Sequence, residues 1–187
     1  MEEQKKEQRK TIKVELEVMV TAEDIDDIIC AALEGGIGYW ACLDNSTEEF
    51  ENAPEEETIS ETTSRLLKEG KTITLIDEEE DEGHELTFEK LLTGIKMYLE
   101  DKQRPYNILA DDLNSAGYSR GTYELDCCMV DADVADMIIQ YAVFGEVIFG
   151  EEGRCGEQRN CDRISGNLHF LRKTGRSRTP FNLWNCR

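Results

Sequence analysis

The side chains best suited to a chemical role in this sequence are carboxylates, and they occur in two runs. One run covers Asp77, Glu78, Glu79, Glu80, Asp81 and Glu82, and the other covers Glu55, Glu56 and Glu57. A calcium loop of the EF-hand type needs a glycine at its sixth position and a glutamate at its twelfth. Counted from the start of the first run, those positions hold glutamate and phenylalanine, so the motif is absent. The runs therefore indicate either a solvated turn or an electrostatic contact with a basic partner.

Thiols and imidazoles offer a weaker signal. Four potential zinc ligands near the C-terminus are spaced C-x5-C-x7-H-x16-C, without the C-x2-C pair typical of zinc sites: Cys155, Cys161, His169 and Cys186. The sequence contains no P-loop, dinucleotide-binding or nucleophile-elbow motif. We therefore expect no catalytic residue, no metal centre and no cofactor. The enzymatic alternative is a metal-dependent hydrolase that uses clustered acids.

Residues 35–40 read Gly-Gly-Ile-Gly-Tyr-Trp and allow two interpretations. Tyr39 and Trp40 could form a contact platform, because tyrosine and tryptophan are favoured as interface anchors. Alternatively the glycines end a helix and Trp40 packs on that first helix as part of a core strand. The core interpretation is favoured. Both aromatic residues are kept, together with the two acidic runs, as candidate partner-binding residues.

The charge is unevenly distributed along the chain. Residues 1–150 hold 13 Lys/Arg and 37 Asp/Glu, a net charge of −24, whereas residues 151–187 hold 8 and 4, a net charge of +4. Residues 1–150 are so acidic that they repel nucleic acid, and we expect this region not to bind nucleic acid directly. The charge suits a basic protein surface, of the kind found in proteins that bind nucleic acid. The simpler explanation is that the charge only keeps the protein soluble.

Three regions follow from composition: a charged leader over residues 1–10, an acidic domain over 11–150, and a basic tail over 151–187. The tail is expected to be mobile and dispensable for folding. No apolar stretch is long enough to span a membrane, and the first residues lack the apolar region of a secretion signal. We expect a cytoplasmic protein with reduced cysteines.

Apolar periodicity predicts the elements of the acidic domain. Helices are predicted from Thr21 to Gly35, after Thr87, and from Asp131 to Gly145. Strands are predicted at 11–20, 37–43, 71–76, 123–130 and 146–149, with an acidic hairpin turn after the third of these. Residues 61–69 fit a helix or a strand, and residues 44–60 and 101–122 read as loops. In the first strand one face is apolar, formed by Ile12, Val14, Leu16, Val18 and Val20.

These elements predict an α+β fold, with about three helices packed on an antiparallel sheet. An internal similarity supports two pseudo-equivalent strand–helix–strand units. Residues 20–40 and 130–150, aligned at an offset of 110 without gaps, share seven identities in 21 positions, among them Asp26 with Asp136 and Gly35 with Gly145. Convergent use of an acidic cap, an apolar face and a glycine stop explains part of this similarity.

Three segments of the chain resemble a family of small acidic proteins carried by phages and mobile elements of Gram-positive bacteria. They are EDIDDIICAALEGGIGYW, LTFEKLLTGIKMYLE and ADVADMIIQYAVFGEVIFG, within residues 11–150. The resemblance implies an anti-CRISPR protein, which would inhibit the RNA-guided nuclease of a type II system. It marks no catalytic residue and does not extend to the tail.

An inhibitor of this kind would bind a CRISPR effector nuclease as a mimic of DNA. Such nucleases hold nucleic acid in positively charged channels, where an acidic surface could take its place. The alternative is a counter-defence sponge that binds a small ligand or cyclic nucleotide in a pocket formed by Gly35, Gly36, Tyr39 and Trp40. The scarcity of cations in the body disfavours a phosphate-bearing ligand.

Overall fold

A computed structural model describes residues 12–113, 117 and 119–150, and this part of the chain has an α+β fold. Its α-helices are α1 (Ala22–Ala31), α2 (Glu48–Glu51), α3 (Ile59–Lys68), α4 (Phe88–Glu100) and α5 (Ala132–Phe144). Its strands are β1 (Val18–Met19), β2 (Ala41–Leu43), β3 (Ile73–Asp77), β4 (Gly83–Leu86), β5 (Leu109–Leu113) and β6 (Ser119–Leu125). A π-helical turn (Ala32–Gly36) extends α1, and a 3-10 turn (Cys127–Met129) precedes α5. The predicted leader and tail, including the four potential zinc ligands, lie outside the described residues.

The described strands form two three-stranded sheets, where the sequence predicted one antiparallel sheet. Strands β2, β3 and β4 are antiparallel in the order β2-β3-β4. The other sheet has the order β1-β6-β5 and is mixed, because β1 runs parallel to β6 while β5 is antiparallel to it. The α+β class is thus confirmed, and the single antiparallel sheet is not.

Helix starts are set by polar caps, as the sequence predicted. The hydroxyl of Thr21 accepts a hydrogen bond from the backbone N–H of Asp24, while the Asp24 carboxylate accepts one from the backbone N–H of Thr21. Thr87 and Asp131 likewise cap α4 and α5. Such caps satisfy N–H groups that have no partner within the helix. Gly145 ends α5 in the left-handed conformation, with φ of 76°, which glycine adopts without steric cost.

The segment that fitted either a helix or a strand is helix α3. Thr58 and Glu61 form a capping box at its start, which commits the chain to a helix. The buried face of α3 combines two leucines with four small hydroxyl residues: Ser60, Thr62, Thr63, Ser64, Leu66 and Leu67. The periodicity was ambiguous because four of the six buried residues are polar.

Several strand or loop predictions are wrong. Residues 44–60, predicted as loop, contain α2 and the start of α3, and the strand predicted at 37–43 begins only at Ala41. Only Val18–Met19 of the first predicted strand is paired, and residues 101–122, predicted as loop, contain β5 and the start of β6. The strand predicted at 123–130 ends at Leu125, and residues 146–149 form no strand. Strand β5 escaped prediction because it carries two aspartates, and one of them, Asp112, is buried against Arg120 and Thr122 of β6.

The core is one hydrophobic cluster that joins α1, α3, α4, α5 and both sheets. At its centre α4 crosses α5 with Gly94 at the contact. A Cβ atom on Gly94 would overlap the carbonyl oxygen of Ile138 and would lie 2.9 Å from the Cβ and the backbone nitrogen of Ala142. Only a residue without a side chain permits so close an approach. Within the described residues, no helix has the length and apolar composition to cross a membrane.

Candidate acidic interface

The first acidic run forms the turn of the β3–β4 hairpin, as predicted. The turn is closed by backbone hydrogen bonds from Asp77 N to Glu82 O (2.9 Å) and from Asp81 N to Asp77 O (3.0 Å). The backbone N–H of Glu78 also donates to the carbonyl oxygen of Trp40 (2.9 Å). Main-chain bonds therefore hold the turn in one shape, at the end of the sheet where Ala41 of β2 pairs with Asp77 of β3.

Asp77 belongs to the interior of the turn and not to its charged surface. Its side chain is 6% exposed, and Oδ1 accepts hydrogen bonds from the backbone N–H groups of Glu79 (2.6 Å) and Glu80 (3.2 Å). This is the arrangement by which aspartate stabilises a turn through its own following backbone. The prediction that all six acids form a solvent-facing contact surface is therefore wrong for Asp77.

Asp81 carries the main backbone strain of the turn, since its φ is 58°. A non-glycine residue in this left-handed region costs free energy that glycine avoids. We expect Asp81→Gly to raise the free energy of unfolding by about 0.5–1 kcal/mol. Urea titration measures the change. Asp81→Asn removes the same charge and serves as the control, so a variant pair of equal stability would show that charge alone matters.

The other acids of the turn face solvent, and Glu79, Glu80, Asp81 and Glu82 form no ion pair within the part of the chain described. Elsewhere acids are neutralised locally, by pairs such as Asp26–Lys68, Asp112–Arg120 and Glu49–Lys71. Glu78 accepts a bond from the thiol of Cys42 (3.1 Å). The turn is thus a fixed set of exposed negative charges.

The three glutamates of the second acidic run differ in their contacts. Glu55 and Glu56 are exposed, whereas Glu57 accepts hydrogen bonds from the guanidinium of Arg65 (3.0–3.1 Å) and from the hydroxyl of Thr62 (3.1 Å). The bonds from Arg65 are the main reason why the pKa of Glu57 lies below its ordinary value. Glu57 therefore joins the loop to α3 and is already neutralised, which leaves Glu55 and Glu56 as candidate contact residues.

Trp40 is a core residue, as the favoured interpretation predicted. Its side chain is 1% exposed, so it offers no contact platform. The indole stacks on Phe149 at a centroid distance of 4.9 Å and packs at 5.4 Å against Phe144. These aromatic partners come from the end of α5 and the segment after it, whereas the sequence predicted packing on the first helix. Tyr39 is half-buried beside it.

The sequence did not identify Asp136 of α5 as a site residue, although it organises this region. The buried carboxylate accepts hydrogen bonds from Trp40 Nε1 (2.7 Å), Tyr39 OH (2.8 Å) and Gln140 Nε2 (3.0 Å). Burial raises the pKa of Asp136, and the three bonds oppose that effect. The sequence did contain a signal for this role. Asp136 interrupts the apolar face of a predicted helix, and a buried tryptophan such as Trp40 needs a hydrogen-bond acceptor for its N–H.

Gln140 explains why residues 146–149 form no strand. Its side-chain oxygen accepts hydrogen bonds from the backbone N–H groups of Ile148 (2.9 Å) and Phe149 (2.8 Å), and Nε2 donates to Phe149 O (3.1 Å). One amide side chain thus satisfies backbone groups that a neighbouring strand would otherwise pair. Together with the bond between Glu78 and Trp40, this network connects the acidic turn to the core.

Two observations bear on metal binding and on thiol reactivity in the described residues. No group of three or more His, Cys, Asp or Glu in residues 12–113 and 119–150 could hold a metal ion. The thiol of Cys127 donates to Asp24 (3.1 Å), and its pKa is raised by burial and by that carboxylate. A thiol that stays protonated is a poor nucleophile.

No family model, curated protein or solved structure matches this chain.

Proposed function

We propose that the protein is a non-enzymatic inhibitor, carried by a phage or mobile element, that acts in the bacterial cytoplasm on a type II CRISPR nuclease. Its acidic hairpin turn would occupy a basic region of the nuclease that otherwise binds guide RNA or target DNA. The resemblance of residues 11–150 to a family of small acidic phage proteins suggests this class of target. The observation that carries the proposal is the ordered turn with its exposed carboxylates.

Order matters because a rigid charged surface loses little conformational entropy when it binds. The turn is shaped by buried Asp77 and by main-chain bonds, and Glu79, Glu80 and Glu82 project from it into solvent. Placed in a channel lined with lysine and arginine, these carboxylates would replace phosphates and release the counterions of both surfaces. Glu55 and Glu56 are exposed as well and would supply a second acidic contact.

The proposal predicts a charge-specific loss of inhibition. The triple variant Glu79→Gln, Glu80→Gln and Glu82→Gln keeps Asp77 and the backbone of the turn. It should bind the nuclease about tenfold more weakly, mainly through slower association, because exposed charges steer the encounter. Binding kinetics and a DNA-cleavage assay with the purified guide-loaded nuclease measure the effect.

The matched control neutralises three exposed acids elsewhere: Asp111→Asn, Glu124→Gln and Glu146→Gln. It changes the net charge equally and should leave inhibition near the wild-type level. Wild-type binding should weaken as salt rises, and the triple variant should show a shallower salt dependence. If both triple variants lost inhibition equally, net charge and not the acidic turn would be responsible. If the wild type neither bound nor inhibited the nuclease, the nuclease would be excluded as the target.

We also propose that residues 20–40 and 130–150 derive from a duplicated unit, although α5 lacks the flanking strands that the predicted strand–helix–strand unit required. The Gly35–Gly145 and Asp26–Asp136 correspondences support it. The aspartates have since diverged, because Asp26 binds Ser64 and Lys68 at the surface and Asp136 lies in the core. The basic tail would be a separate addition to this unit.

A further inference from the structure

Residues 146–150, which follow α5, are attached to the core by side chains and not by main-chain pairing. Within the described part of the chain, no backbone–backbone hydrogen bond joins them to another segment. Their polar contacts come from Gln140, which binds the N–H groups of Ile148 and Phe149 and the carbonyl oxygen of Phe149. The hydroxyl of Tyr39 also lies 3.1 Å from that carbonyl oxygen. Because Ile148 is 51% exposed, the segment lies on the surface, held by a few side chains.

The ring of Phe149 occupies an aromatic pocket. It stacks on the indole of Trp40 at a centroid distance of 4.9 Å, with 8° between the two planes, and it packs edge-on against Phe144 at 5.8 Å. Stacked and edge-on arrangements of this kind are favourable beyond the apolar area that they bury. Since Gln140 binds both the N–H and the carbonyl group of residue 149, the pocket recognises a main-chain amide together with an aromatic side chain.

The walls of this pocket are fixed by contacts that do not involve the segment. The buried carboxylate of Asp136 accepts hydrogen bonds from Trp40 Nε1 (2.7 Å), Tyr39 OH (2.8 Å) and Gln140 Nε2 (3.0 Å). The Tyr39 hydroxyl has a single hydrogen, so without the carbonyl oxygen of Phe149 it can still donate to Asp136. A site whose side chains are already held in place loses little conformational entropy when it binds a ligand.

We infer that this pocket is a peptide-binding site that the chain's own residues 146–150 occupy. Its ligand is a short peptide that presents an aromatic side chain to Trp40 and a main-chain amide to Gln140. Gly145 is the hinge at which the segment leaves α5, because glycine changes its backbone conformation at little steric cost. This binding site does not depend on the proposed function.

A peptide added to the full chain tests the site. Phe149→Pro removes the ring and the N–H group of residue 149, so it displaces the chain's own segment. The probe is the acetylated and amidated pentapeptide Glu-Val-Ile-Phe-Gly, the sequence of residues 146–150. It should bind this variant saturably and shift the NMR signal of the Trp40 indole N–H. Every protein carries Trp184→Phe, which leaves Trp40 as the source of the one indole signal.

Changes confined to the peptide separate its two kinds of contact without altering the protein. The peptide with Phe149→Ala should bind about tenfold more weakly, because the stack on Trp40 is lost. Methylation of the phenylalanine nitrogen should weaken binding about fivefold, since it removes one hydrogen bond to Gln140. The chain without Phe149→Pro should bind the unmodified peptide about tenfold more weakly than the variant, because its own segment competes at a high effective concentration.

Circular dichroism shows whether each variant is folded, and Phe149→Ala in the protein replaces Phe149→Pro in the titration if proline prevents folding. A folded variant without a saturable shift of the Trp40 signal would overturn the inference. So would equal binding of the peptides with and without the aromatic ring, or equal binding by the proteins with and without their own Phe149, since the peptide would then bind elsewhere. If both protein variants unfold, the pocket is not fixed without its segment, and the inference fails as well.

Discussion

Replacing Gly94 by alanine should destabilise the protein by about 3 kcal/mol, among the largest effects of any single methyl group in this chain. In an isolated helix the same change stabilises by up to about 1 kcal/mol, so a loss would oppose helix propensity. The loss is expected because the added Cβ would overlap the carbonyl oxygen of Ile138 and crowd Ala142, and backbone cannot rotate away as a side chain can. Helices α4 and α5 would have to separate.

Chemical unfolding monitored by circular dichroism measures this change. Gly38→Ala is the matched control, since a Cβ at Gly38 would have no atom within 4 Å and the variant should unfold close to the wild-type midpoint. If Gly94→Ala proved as stable as Gly38→Ala, the close crossing of α4 and α5 would be incorrect.

Replacing Asp136 by alanine should cost about 3 kcal/mol of stability. The substitution removes the acceptor of three hydrogen bonds. Trp40 Nε1–H and the Gln140 amide then stay buried and lose the carboxylate to which they donate. Asp136→Asn should lose less, because one amide oxygen can still accept from Trp40 and its NH2 group can donate to Tyr39 OH. Equal losses for alanine and asparagine would show that the volume of the side chain, and not its bonds, is what matters.

The stability of these variants should also differ in its pH dependence. Burial raises the pKa of Asp136 in the folded state above its value in the unfolded chain. The stabilisation linked to its proton is therefore fully present below the unfolded pKa, and it is lost as pH rises through the folded pKa. Asp136→Asn has no such proton, so the wild type should lose stability relative to this variant over that interval. If the wild type instead gained stability relative to Asp136→Asn as pH rises, the pKa of Asp136 would be lowered by folding and not raised.

Local chemistry made part of this fold predictable. Thr21, Thr87 and Asp131 cap helices from within three residues, and Gly145 ends α5 through its own backbone conformation. Each of these signals is complete within a short window of sequence. The acidic hairpin turn was predictable for the same reason, because its strands are adjacent in the chain.

The remaining features depend on partners far away in the sequence. Trp40 and Asp136 are separated by 96 positions, and no local pattern indicates that one donates to the other. The alternation of residues 12–20 indicated which side chains share a face, but not that Val18–Met19 would pair with β6, more than 100 positions away in the sequence. Asp77 looked like its five acidic neighbours, and only its position at the end of β3 distinguishes a buried turn former from an exposed charge.

In the acidic turn, one buried residue fixes the backbone and other residues supply the exposed charges, and this separation has an evolutionary consequence. Because Asp77 and main-chain bonds fix its shape, the identities of Glu79, Glu80 and Glu82 are decoupled from folding. Mutations at these three positions should therefore leave the fold unchanged. If the turn binds the proposed nuclease, sequences under selection to follow changes in that nuclease would diversify at Glu79, Glu80 and Glu82 first, while Asp77, Gly94 and Asp136 stay constant.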